Sequence, residues 1–151
     1  MDVRTTHLFT VTLKVPKMQN LGRTPLGERR VGVVSGGSFE GPKLRGTVEE
    51  GGSDWILARP DGALQLDVRL TLKTDDEQLI GMTYRGYRHG PAAVIERLNR
   101  GEAVDPAEYY FRIAPFFETS SEKYGWLNRI VAVGLGDRPP GGPVYRVFEV
   151  L

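Results

Sequence analysis

A chain of 151 residues with 20 Lys+Arg against 19 Asp+Glu, formally +1 at pH 7, fits one domain spanning residues 1–151 that buries roughly two thirds of its unfolded surface. So even a charge gives neither nucleic acid nor an anionic membrane an electrostatic partner. With no cysteine and only His7 and His89 as imidazoles, disulfides and a cysteine nucleophile are excluded, and neither a metal centre nor a cofactor is expected.

Met1 to Thr12 carries Asp2 and Arg4 early and has no unbroken apolar core, so neither a signal peptide nor a membrane span is expected and the expected compartment is the cytoplasm. Strands are predicted over His7 to Val15, Arg30 to Ser35, Lys43 to Glu49 and Asp54 to Arg59. Gly36-Gly37 and Gly51-Gly52 read as turns or bends between them. The run from Gly36 to Pro42 lacks the Lys-Ser/Thr ending of a phosphate loop and is read as a bulge or tight turn.

From Gly62 to Leu72 the residues alternate. Leu64, Leu66, Val68, Leu70 and Leu72 share one face, and Gln65, Asp67, Arg69 and Thr71 the other, which is the pattern of a half-buried strand. The turn-formers Thr74-Asp75-Asp76 return the chain over Gln78 to Arg88 as an antiparallel hairpin. Pro91 to Arg100 breaks the pattern: Pro at its start, Val94, Ile95 and Leu98 at helical spacing and Gly101 as a stop predict a short amphipathic helix that caps a barrel end or covers an edge. Strands over Tyr109 to Phe117, Tyr124 to Leu135 and Val144 to Leu151 complete the chain. Nine short strands and one helix predict an all-β, mainly antiparallel fold, a single closed or nearly closed β-barrel.

Chemistry in such a barrel depends on which face of each strand points inward. If the Leu64 to Leu72 row is inside, the interior is an ordinary apolar core; if Asp67 and Arg69 are inside, it is a pocket. Tyr110, Arg112 and Glu118 share one parity, with Pro115 a candidate bulge, and Tyr124, Trp126 and Asn128 share another. Converging, these rows would offer Arg69 and Arg112 to hold an anionic group, and Arg88 is a further candidate for ligand binding. Asp67, Glu118 or Asp54 would move a proton, Tyr110 and Asn128 would orient, Trp126 would form a wall, and Tyr124 is a further ligand-binding candidate. The plain alternative is a set of solvated cross-strand pairs contributing ~0–1 kcal/mol each.

The ordered series Gly27-Glu28-Arg29-Arg30, Gly36-Gly37-Ser38-Phe39-Glu40-Gly41-Pro42, Ser53-Asp54-Trp55, Leu66-Asp67-Val68-Arg69, Thr74-Asp75-Asp76, Tyr110-Phe111-Arg112, Phe117-Glu118-Thr119 and Trp126-Leu127-Asn128 resembles the domain of unknown function 3237 family. That resemblance spans about Leu8 to Leu135 and implies an antiparallel β-barrel with a central cavity, without a catalytic residue set. The expected function is binding of a small organic molecule, anionic or oxygenated and aromatic in one version, with cofactor-free proton transfer, (de)hydration, isomerisation or cyclisation on it. The rivals are a non-catalytic carrier or sensor with a lipocalin-like cavity, and a structural barrel that forms a homo-oligomer.

Overall fold

The computed structural model describes residues 1–151 and contains eleven strands: β1 (Thr5–Lys14), β2 (Lys17–Thr24), β3 (Gly27–Val34), β4 (Gly36–Glu40), β5 (Arg45–Val48), β6 (Gly52–Ala58), β7 (Leu64–Thr74), β8 (Leu79–His89), β9 (Tyr110–Glu118), β10 (Ala132–Asp137) and β11 (Val144–Val150). One helix, α1 (Ala92–Asn99), and 3-10 turns at Pro106–Glu108 and Gly125–Arg129 interrupt them. Every pairing is antiparallel. The ring β7-β5-β4-β1-β11-β10-β9-β8 closes through β7 and β8, an eight-strand barrel, and β6, β3 and β2 extend from it as additional strands. One edge of β7 carries both neighbours end to end, β6 beside Leu64 to Arg69 and β5 beside Leu72 to Thr74.

The alternation in β7 settles the inside: Leu66, Val68, Leu70 and Leu72 are buried, as are Ile80, Met82 and Tyr84 on β8 and Phe111, Ile113 and Phe117 on β9. With Phe9, Val11, Phe39, Tyr145 and Val147 they form one core cluster. Aromatic edges tie it together, Phe9 to Phe39 and to Phe117 with ring centroids 5.5 and 5.8 Å apart, and Tyr145 to Tyr84 and to Phe111 at 5.2 and 5.3 Å. Leu98 of α1 is buried in the same cluster and Val94 and Ile95 pack on it, so the predicted helix exists and covers one barrel end. No helix is long and apolar enough to cross a membrane.

Three expectations are corrected. Gly36–Glu40 is strand β4, paired with β1, because Gly37 has φ +147° and a Cβ there would lie 2.1 Å from the Thr12 carbonyl oxygen. Pro115 makes no bulge: β8 and β9 pair without a break from Gly81–Glu118 to His89–Tyr110, and the β9–β10 ladder stops at Ile113, so the strand edge bearing the proline has no partner there. Tyr124 to Leu135 is not one strand. Gly125–Arg129 winds into a 3-10 turn that buries Leu127, and pairing resumes only at Ala132.

Candidate functional site

Core side chains fill one end of the barrel, and at the other a cavity of about 230 Å³ opens beneath α1 and the loop that follows β10. Its apolar wall includes Ile56, Leu64, Leu66, Leu98 and Phe111. Its charged groups are Asp54, Arg30, Arg88 and Arg138, and the buried Tyr145 lines it as well.

Each charged group reaches the cavity for a local reason. Asp54 lies on β6 two residues before Ile56, on the face that looks inward. The β6–β7 ladder pairs Asp54 with Val68 and resumes at Leu57–Gln65, and between those points the Asp67 N–H donates to Asp54 Oδ1 at 3.2 Å. Arg30 stands opposite Ile56 in the β3–β6 ladder, diagonal to Asp54. Arg88, near the end of β8, is flanked across the sheet by Leu64 and Phe111, both cavity residues. Arg138 follows β10 directly, where the buried Tyr109 phenol accepts its backbone N–H at 2.8 Å and donates to Asp137 Oδ1 at 3.1 Å.

Burial and neighbouring charge set the ionisation of these groups. Burial pushes the Asp54 carboxyl up to about 7; the nearby Asp67 charge adds to the rise, against the Asp67 N–H bond and the Arg88 charge. Arg88 is held below the ordinary arginine value by burial first, then by the facing charge of Arg138 and also that of Arg30. Its Nε is buried without a hydrogen-bond partner. None of the three arginines forms an ion pair, every bridge in the molecule lying elsewhere. Burial also raises Tyr145 far above the usual phenol value, so it enters as a neutral hydroxyl. A pocket with surplus guanidinium charge, a carboxyl near half-ionisation at neutral pH and an apolar wall is equipped to hold an organic anion and exchange a proton with it.

Of the residues singled out from sequence, Asp54 and Arg88 meet in this cavity. The others lie outside it. Asp67 and Arg69 are on the outer face of β7 because the aliphatic row takes the interior, and Asp67 faces Arg85 on the surface at 3.9 Å. Tyr110, Arg112 and Glu118 share the outer parity of β9, where Arg112 sits 5.3 Å from the Tyr110 ring centre. Tyr124, Trp126 and Asn128 stand at the Asp76 end: the Tyr124 hydroxyl donates to Asp76 Oδ1 at 3.0 Å, Trp126 packs on the core beneath Lys43, and Asn128 bonds the Thr119 backbone. The either-or of apolar core or pocket also fails, because the interior is apolar along the strands and polar where they end at the mouth.

Arg30, Arg138 and Tyr145 escaped the sequence reading. A signal for the first existed. The inward row of β3 runs Val34, Gly32, Arg30 and that of β8 runs Tyr84, Gly86, Arg88, so an apolar residue, a glycine and an arginine recur at strand spacing. Glycine is needed in both: a Cβ on Gly86 would meet the Arg112 carbonyl oxygen at 2.2 Å, and one on Gly32 would meet Val15 at 2.9 Å.

A family model described as a protein of unknown function, DUF3237, matches residues 3–150. A UPF0311 protein of Rhodopseudomonas palustris is 33% identical over 149 residues, covering 99% of this chain and 97% of the relative. The crystal structure of a conserved protein of unknown function from that organism superposes with a TM-score of 0.95 at 32% identity, over 100% of this chain and 99% of the other. A beta-barrel like protein from Acinetobacter baumannii gives 0.87 at 37% identity, over 100% and 98%. At 22% identity, a chain from Penicillium herquei described as an enzyme shares the fold, with a TM-score of 0.76 over 100% and 96%.

Proposed function

This chain belongs to the DUF3237 family, and from that premise we propose that it binds a small organic anion in the barrel-mouth cavity and moves a proton on it with Asp54. One observation carries the reading: three guanidiniums without ion-pair partners share a cavity with a single carboxyl that burial brings to about 7. Arginine without a carboxylate partner favours an anionic ligand, and a carboxyl titrating near neutral pH both accepts and returns protons. Reactions needing only that, namely isomerisation, (de)hydration or cyclisation of an oxygenated substrate, fit this equipment. Tyr145 adds a neutral hydroxyl donor to a developing oxyanion.

Calorimetric titration with a panel of small carboxylates, benzoate and pyruvate among them, tests the binding half. At least one member should bind the wild type, and Arg88→Met should weaken it by about tenfold or more. A flat response from the whole panel, or an Arg88→Met variant that binds as well, refutes the site. The chemical half is read by proton NMR as deuterium exchange from solvent into a bound 2-oxo acid. Exchange should vanish in Asp54→Asn while binding persists; binding without exchange in the wild type would make the protein a carrier.

A further inference from the structure

We infer that the occupant of the barrel-mouth cavity is a compact organic dianion, its charge divided among Arg30, Arg88 and Arg138 and its carbon body lying against Leu64, Leu66, Leu98 and Phe111. This deepens the anion-binding reading and rests on it.

The first argument is charge. Asp54 is the sole acidic residue lining the cavity, against three arginines, and no ion pair elsewhere neutralises any of them. With Asp54 ionised the lining carries two surplus positive charges; with Asp54 protonated it carries three. A monoanion leaves the site positive in either state. A dianion brings it to neutrality with Asp54 ionised, and burying a site near neutrality avoids the cost of desolvating unpaired charge.

Placement is the second argument. The three guanidiniums come from separate walls: Arg30 from β3 on the added sheet, Arg88 from β8 on the barrel ring, and Arg138 from the loop after β10. They are near enough that Arg138 and Arg30 both disfavour the charge on Arg88, after burial itself. Mutual repulsion of this kind is retained at a site that is filled in use, because bound negative charge converts it to attraction. The buried Arg88 Nε is a donor lacking an acceptor, and a carboxylate or phosphate edge supplies one in the two-pronged geometry guanidinium favours. Arg138 gives Nη1 to the Pro139 carbonyl at 2.7 Å, which leaves its other guanidinium donors for an anion in the cavity it lines.

Size is the third. A cavity of about 230 Å³ falls below the ~300–1,000 Å³ of pockets that take drug-sized ligands, which favours a ligand with both negative charges on a short frame. Short-chain dicarboxylates and small phosphate monoesters share that description.

Calorimetric titration of the wild type at pH 8 and matched ionic strength, with acetate and propionate against malonate, succinate and methyl phosphate, tests the inference. The best dianion should bind at least about tenfold tighter than either monocarboxylate. Succinate or malonate leading would assign a diacid, and methyl phosphate leading a phosphate ester. Arg30→Met and Arg138→Met should each weaken the best dianion several-fold more than they weaken propionate, removing most of its advantage; Arg30→Lys should restore part of it. Propionate binding as tightly as the dianions would overturn the inference and leave the anion site standing. Silence from all five ligands would overturn both.

Discussion

Asn128 shows how a side chain with ligand-like chemistry is consumed by the backbone. Its Oδ1 accepts the Thr119 N–H at 2.8 Å and its Nδ2 donates to the Thr119 carbonyl at 2.9 Å, latching the end of β9 to the 3-10 turn. Asn128→Ala should therefore cost about 1–2 kcal/mol in urea unfolding and leave anion affinity untouched. A loss of affinity would restore the ligand-orienting role that sequence suggested. At this scale sequence offers candidate functional groups and does not locate them. Asp54 and Arg88 were candidates and do meet, but Asp67, Arg69, Arg112 and Glu118 offer the same functional groups on the opposite parity, and nothing local distinguishes an arginine facing in from one facing out. Tyr145 was hidden because a buried phenol beside an apolar Val147 reads as ordinary core.

Among the elements, β10 shows why apolar patterning alone does not choose the inner face of a strand. Its apolar row, Val133 and Leu135, continues from Val131 just before the strand and points outward, with Val133 41% exposed, while the inward row is Ala132, Gly134 and Gly136. The large residues of β9 take that space: a Cβ on Gly136 would lie 2.5 Å from the Phe111 ring, and one on Gly134 2.5 Å from Ile113. Interior volume is shared between neighbouring strands, so the strand with small inward residues leaves its larger ones outside, and a single-strand reading inverts it. Gly136→Val should overpack this contact, cost about 1–3 kcal/mol by denaturant unfolding and disturb the cavity through Phe111. Unchanged stability together with unchanged anion binding would show that Phe111 relaxes freely. Strands with strong alternation, β7 to β9 above all, were legible nearly to their ends, and so was the antiparallel pairing of β7 with β8. β2 was not, since Lys17–Thr24 is mostly exposed, pairs only with β3 and carries no alternation to read.

Across the whole molecule the two barrel ends titrate in opposite senses. At the closed end Lys123, Thr74 and Tyr124 hold the Asp76 carboxyl well below its usual value, so this group contributes stability that is present above about 3.8 and lost as pH falls. At the mouth the sign reverses. Asp54 is raised from 3.8 to about 7, so the folded protein binds its proton more tightly than the unfolded chain, and the associated stability is full below 3.8 and lost as pH rises to about 7. At roughly 1.4 kcal/mol per pKa unit this loss amounts to a few kcal/mol, or several degrees in Tm for a chain of this size. Wild-type Tm should accordingly fall between pH 5 and pH 8, and Asp54→Asn, which keeps an oxygen for the Asp67 N–H, should flatten that slope and be the more stable protein at pH 8. Thermal scans of both across the range check it, and equal slopes would mean that Asp54 ionises as an ordinary surface carboxylate. Were that so, the proton-transfer reading would lose its base as well, because the same desolvation that destabilises the ionised carboxylate keeps it poised at neutral pH.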